Sequence, residues 1–180
     1  GARTIYILNN SEPQFVDSYI GKDTTAATTP DFAAKFLFDG TGGTIDNCIF
    51  FRAAHNAVTN QNSNTLIQNS SFTKTVGRSI SNISSLPVIT NCVFRDTANN
   101  NNNFNGGAIS NNSNSTALID KCRFYNSFAY YFGGAIANEN SSTTVKNSIF
   151  RNCGAAQGGG GALYNNAGML KLINCTGYIN

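Results

Sequence analysis

The stretch Gly106–Ser115 reads GGAISNNSNS; it returns as GGAIANENSS at 133–142 and as GGALYNNAGM at 160–169. The three copies start 27 residues apart, at 106, 133 and 160. A fixed period in this range is the mark of stacked structural repeats, each of which buries its apolar face only against its neighbours.

Working outward from the aliphatic residue of each copy, Val58, Ile80, Ile109, Ile136 and Leu163 align. Each follows a small residue and is followed two places later by Asn60, Asn82, Asn111, Asn138 or Asn165. A second column holds Ile45, Ile67, Ile89, Ile119, Val145 and Leu172. Two residues on come Asn47, Asn69, Asn91, Lys121, Asn147 and Asn174, then Cys48, Ser70, Cys92, Cys122, Ser148 and Cys175. The coil closes on Phe50, Phe72, Phe94, Phe124 and Phe150, with Gly177 in the last place.

In Cys-x-Phe, side chains two apart face the same way, as strand geometry requires. Asn suits sharp corners because it tolerates left-handed backbone, and stacked amides can bond from coil to coil. The second aliphatic column stands five residues before the Phe column in every coil, whereas the step from Phe to the next coil varies between 8 and 15 residues. Two corners are therefore fixed and one is elastic, and insertions gathered on one edge commonly mark a binding surface. The glycine pair closes the long loops, because glycine permits positive φ and close backbone approach. A phosphate-cradling loop would need a following Lys-Ser/Thr and a helix, which are absent. These features predict an all-β fold, a parallel β-helix (β-solenoid) with three short strands per 22–30-residue coil and about six coils.

Composition agrees. Of 180 residues 41% are hydrophobic, enough for a core, while charged residues make up 12% and the net charge is +3. No basic run of the kind that neutralises phosphates is present, so no nucleic-acid partner is expected. No apolar window approaches a membrane span. Asparagine numbers 28, and because it falls into register the chain is not low-complexity; the run 99–103 reads as a mobile loop.

The Gly-Gly-Ala-[Ile/Leu] repeats resemble those of the chlamydial polymorphic outer-membrane proteins and related autotransporter-like surface proteins. The resemblance is good over 106–180 and looser over 40–105, and it implies a right-handed helix on a secreted or cell-surface protein. Phe124-Tyr-Asn126 and Phe150-Arg-Asn152 stand where those repeats carry Phe-x-x-Asn.

Two domains are expected: 1–35 as an N-terminal strand and cap or irregular first coil, and 36–180 as the solenoid with an uncapped C-terminal end. Thr4-Ile5-Tyr6-Ile7-Leu8 reads as a strand, and Thr29-Pro30-Asp31 as the start of a short helix over Phe32–Phe36. An uncovered terminal coil is an open sheet edge. Leu172, Cys175 and Tyr178 at that end, with Thr4–Leu8 as the pairing strand, are the candidate contacts for copies of the chain stacking head to tail.

Cys92 and Cys122 occupy adjacent coils, so a disulfide between them is sterically possible; the preferred reading of the column is a ladder of small buried side chains in which Cys and Ser are interchangeable. Cys153 lies on the elastic edge. No four ligands converge for zinc, and no metal or cofactor is expected. No close carboxylate pair of the kind glycoside hydrolysis needs can be read among the nine acids. His55, the single histidine, sits beside a short loop, and Arg95 and Arg151 read as a solvated edge. The outward column Thr59, Ser81, Ser110, Ala137 and Tyr164 is too irregular for a threonine array. The conspicuous exposed feature is Phe128, Tyr130, Tyr131 and Phe132 on the elastic edge. They suit a glycan or a host or cell-surface protein, unless they fold over and pack beneath neighbouring loops.

The functional expectation is a non-catalytic secreted structural or surface protein, self-assembling into an extracellular filament or acting as an adhesin-like solenoid. The alternative is a carbohydrate-binding module or a polysaccharide-active enzyme.

Overall fold

A computed structural model of the chain describes residues 3–8, 11–21, 34–53, 55–99 and 105–178. The chain winds through seven coils. The first holds β1 (Arg3–Leu8), β2 (Gln14–Val16) and β3 (Tyr19–Gly21), and the second β4 (Ala34–Asp39), β5 (Gly42–Asp46) and β6 (Ile49–Phe51). The third holds β7 (Val58–Gln61), β8 (Asn64–Gln68) and β9 (Ser71–Thr73), and the fourth β10 (Ile80–Ile83), β11 (Val88–Thr90), β12 (Val93–Arg95) and β13 (Ala98–Asn99). The fifth adds β14 (Ile109–Asn112), β15 (Thr116–Asp120), β16 (Arg123–Tyr125) and β17 (Phe128–Ala129). The sixth adds β18 (Ile136–Glu139), β19 (Ser142–Lys146), β20 (Ile149–Arg151) and β21 (Gly154–Ala155), and the seventh β22 (Leu163–Asn166), β23 (Met169–Ile173) and β24 (Thr176–Tyr178).

Strands in corresponding positions pair in parallel. They make three seven-stranded sheets, begun by β1, β2 and β3, and a small sheet of β13, β17 and β21. The fold is an all-β, right-handed parallel β-helix. The register is that of the sequence columns: Ile80 stands between Val58 and Ile109, Ile89 between Ile67 and Ile119, and Phe94 between Phe72 and Phe124. The five Phe rings stack at centroid distances of 4.6, 5.0, 4.8 and 4.8 Å, within 8° of parallel. Strand spacing imposes that distance. Burying each ring is worth about 2–3 kcal/mol.

Each fixed corner repeats one device. A residue with positive φ is followed by a small inward side chain that caps the turn. Asn47, Asn69, Asn91, Lys121, Asn147 and Asn174 all lie at φ of 50–53°. The next residue, Cys or Ser, bonds the carbonyl two places back: Ser70 Oγ to Gln68 at 2.7 Å, Cys122 Sγ to Asp120 at 3.3 Å. Thiol and hydroxyl thus do the same work. The five cysteines are free thiols, Cys92 and Cys122 included, so the disulfide considered from their spacing is not formed. A third corner of the same kind follows the Phe column, with Arg52, Lys74, Asp96, Asn126 and Asn152 at φ of 52–55°.

The structure departs from several expectations. About six coils were expected after a strand with a cap or an irregular first coil; residues 3–21 supply a complete set of three strands, so the described residues form seven coils. Ala34–Phe36, placed in a short helix by the Thr-Pro-Asp start, belong to strand β4, where pairing with β1 and β7 overrides local propensity; 29–33 lie outside the described residues. The column Asn60, Asn82, Asn111 and Asn138 is not at corners. It points inward mid-strand and is fully buried, Asn60 Nδ2 donating to Asn82 Oδ1 and Asn82 Nδ2 to Asn111 Oδ1, both at 2.7 Å. The outward column Thr59, Ser81, Ser110 and Ala137 is 5, 1, 0 and 0% exposed, because the elastic loops fold back over the first sheet. Of the run 99–103, Asn99 is buried in β13 and 100–103 lie outside the described residues.

The glycine pair has two separate causes. Gly106, Gly133 and Gly160 have φ of 80, 66 and 72°, which only glycine adopts without strain. The second glycine answers to crowding: a Cβ on Gly134 would lie 2.2 Å from the Gly154 oxygen and 2.3 Å from the Gly161 oxygen. Among the described residues no helix is long and apolar enough to cross a membrane.

Candidate functional site

The aromatic run on the elastic edge does not project. Phe128 and Ala129 form β17, held between β13 and β21, and the following residues turn back toward the first sheet. Phe132 stacks on Tyr164 with centroids 4.4 Å apart, and Tyr130 meets Tyr131 edge-on at 5.0 Å. The structure thus joins Tyr130, Tyr131 and Phe132 to Tyr164, which the sequence columns placed outward but not under this loop. Phe128 and Tyr131 keep 36% exposure and are the accessible part of the cluster.

Arg78 fastens the neighbouring loop to the same face. Its Nε donates to the Asn105 carbonyl at 3.1 Å and its Nη1 lies 3.4 Å from Ser81 Oγ. Asn105 Nδ2 donates to Glu139 Oε1 at 2.7 Å. Burial lowers the Arg78 guanidinium to about 10, against the opposing pull of Glu139.

The two candidate assembly elements lie at opposite ends of the solenoid. Thr4–Leu8 fall within β1, paired to β4 on one side, with Ile7 buried and Ile5, Tyr6 and Leu8 exposed. Leu172 in β23 and Tyr178 in β24 are exposed at the far end, and Cys175 is half-buried between those strands. The sheet register puts Ile5 and Leu163 in one column, and Phe15 and Leu172 in another.

Carboxylates serve mainly as acceptors in the amide ladders. Asn47 Nδ2 donates to Asp17 at 2.7 Å, Asn69 to Asp46 at 2.8 Å, Asn126 to Asp96 at 2.7 Å and Asn147 to Asp120 at 2.9 Å. Lys146 sits 3.6 Å from Asp120. The Asp46 carboxyl is held below the usual range, first by its bond from Asn69 and then by that from Gln68. The hydrogen-bonded neighbour Cys122 and burial push the Cys92 thiol up, and burial pushes Cys153 up, so neither is poised as a nucleophile. Among the described residues no three of His, Cys, Asp and Glu group to hold a metal ion. His55 is exposed at a corner with φ of 61°.

Among the described residues nothing covers the outer face of the third sheet. Arg95, Tyr125 and Arg151 succeed one another in one column, and together with Asn126 and Asn152 they line one shallow cleft. The Arg95 guanidinium lies 4.7 Å from the centre of the Tyr125 ring. Sequence reading separated the two arginines as solvated edge residues. The missing signal was the tyrosine in the same column one coil between them.

The description "Right handed beta helix region" matches residues 32–178, and the chain belongs to this family. No curated protein and no solved structure matches the chain.

Proposed function

From membership of the right-handed β-helix family we propose that this chain is a non-catalytic structural solenoid of the cell exterior, copies of which stack end to end. The observation that carries the reading is the match between the two terminal coils. One end exposes Ile5, Tyr6 and Leu8, the other Met169, Leu172, Ile173 and Tyr178, all along parallel edges that share a common set of columns. A second copy that continues the register sets Leu163 against Ile5 and Leu172 against Phe15, apolar against apolar. It also continues the parallel backbone pairing of all three sheets from one copy to the next. The contact is heterologous and does not close, so growth is linear. The ladder bonds of Asp17, Asp46, Asp96 and Asp120 support the non-catalytic part, since those carboxylates are committed to the scaffold.

Negative-stain microscopy and sedimentation of the purified chain over a concentration series test this. The expectation is filaments with a subunit rise of roughly 34 Å, seven coils at the strand spacing. Leu8→Lys, which puts a charge on the β1 edge, is expected to leave folded monomers. A wild-type chain that stays monomeric at every concentration overturns the reading.

A further inference from the structure

Asn105-Gly106 is the one Asn-Gly step in the chain. It opens the first of the three glycine corners. In the next two repeats Phe132 and Gly159 stand in its place, so the corner itself does not call for asparagine. An asparagine before glycine is where a peptide chain most readily attacks itself. No Cβ on the glycine hinders the approach of its backbone nitrogen to the side-chain carbonyl carbon.

The folded chain holds each group of that reaction away from it. The nucleophile, the Gly106 nitrogen, donates its hydrogen to the Phe132 carbonyl at 2.9 Å. The leaving group, Asn105 Nδ2, donates to Glu139 Oε1 at 2.7 Å. The Asn105 carbonyl, which sets the torsion between the two, accepts from Arg78 Nε at 3.1 Å. Gly107 extends the clamp, its N–H donating to the Gly133 carbonyl at 3.1 Å. The fit is tight, because a Cβ on Gly107 would run into the Gly134 and Phe128 carbonyl oxygens. All of these bonds belong to the loop over the first sheet, so local opening of that loop releases them as a unit.

We infer that Asn105 is a self-modification site guarded by the roof: when the loop lifts, the Gly106 nitrogen closes on Asn105 Cγ, and the product keeps the loop from seating again. In the first step the N–Cγ bond forms, the Cγ–Nδ2 bond breaks, and ammonia leaves with the proton of the Gly106 amide. Water then opens the cyclic imide at either carbonyl, giving aspartate or isoaspartate; no oxidant, metal or enzyme is required. Either product sets a carboxylate where a donor faced Glu139, so two acceptors meet across the former bond. Isoaspartate also lengthens the backbone by a methylene group just before Gly107, where there is no room for it. The change is one-way, and it uncovers the buried Ser81 and Ser110 beneath the loop. The inference does not rest on end-to-end stacking, because the loop lies on the side of the solenoid.

The test ages the purified chain in mildly alkaline buffer, folded and in urea, and follows conversion at Asn105 by peptide mass spectrometry. The folded chain is expected to convert at least about tenfold more slowly than the unfolded one. Arg78→Met, which loosens the roof, is expected to raise the folded rate about 5–30-fold. A far-UV spectrum confirms that the variant is folded. Should it not be, Glu139→Ala, which frees Asn105 Nδ2, takes its place with a rise in the same direction. Converted wild-type chain, separated by its added negative charge, is expected to exchange the Gly106 and Gly107 amides faster than fresh chain, with the Phe-column strands as protected as before. Conversion of the folded chain at the unfolded rate, a folded variant no faster than wild type, or converted chain that exchanges like fresh chain overturns the inference.

Discussion

The outer faces of the first and third sheets have the same pitch and the same pairing, yet one is roofed and the other open. On the first sheet the outward column is Thr59, Ser81, Ser110 and Ala137, and the loops between coils lie down on it. On the third sheet the corresponding column is Thr73, Arg95, Tyr125 and Arg151, and nothing among the described residues covers it. The difference lies in side-chain size. Loop backbone can approach a sheet only where the outward residues are small, and large charged residues hold a face open to water. Outward residue size, and not sheet position, decides which wall of a solenoid is available.

The strongest way to break this contrast is to put the same charge on both walls. Ala137→Arg drives a guanidinium under the loops, where it has neither room nor a partner, and is expected to cost at least about 3 kcal/mol. Ser71→Arg on the open wall is expected to stay within about 0.5 kcal/mol. Urea unfolding midpoints of the two variants check this, and similar losses would mean that the roof is not packed.

A milder break unfastens the roof. Arg78→Met removes the donor to the Asn105 carbonyl and the contact with Ser81 Oγ, an expected loss of about 1–2 kcal/mol. Amide exchange at Gly106 and Gly107 should quicken while that of the Phe-column strands does not. Uniform quickening would place Arg78 in the global fold rather than in the roof.

The smallest effect belongs to the corner ladder that separates the second and third sheets. The Asp46 carboxyl lies below its ordinary value of 3.8 because Asn69 and Gln68 donate to it. Its contribution to stability is therefore complete above roughly pH 4 and is lost as pH falls through the lower folded value. Asp46→Asn is expected to remove that acid-side decline, and the wild-type and variant stability curves should converge toward low pH. Parallel curves down to pH 2 would show that the bond contributes nothing.

The interior was largely legible because the columns are strict. A Phe, an Ile and a Cys or Ser recur at fixed steps, and a stack of rungs is the arrangement that lets each meet its own kind. The first coil was read only in part, as a strand with a cap or an irregular coil, although its pattern was legible. Phe15-Val-Asp17-Ser18-Tyr-Ile20 repeats the pattern of Ile45-Asp-Asn47-Cys48-Ile-Phe50, with Asp for Asn and Ile for Phe. Residue type also misled at Asn60, Asn82, Asn111 and Asn138. Asparagine suggests a corner, yet strand parity places these two positions beyond an inward aliphatic, and so inward. The roof was not legible at all. Steps of 8 to 15 residues from the Phe to the next coil state a length and not the wall the loop settles on, and small residues such as those of the covered face also stand on the open third sheet, as Ser71 and Thr73 do. For the same reason the open cleft escaped notice: Arg95 and Arg151 become neighbours of Tyr125 only once coils are counted.

The buried amides have a direction. From Asn60 the donor–acceptor sense passes to Asn82 and Asn111, crosses the Thr143 hydroxyl to Asn138, continues to Asn165 and ends on the Gly168 carbonyl. No amide beyond Asn60 can flip without breaking two bonds, so the line behaves as one polarised thread and locks the third to seventh rungs against sliding past one another. Its one deficit is gathered at the start, where Asn60 Oδ1 is among the few buried acceptors without a donor, beside the Phe38 rung at which the column turns apolar.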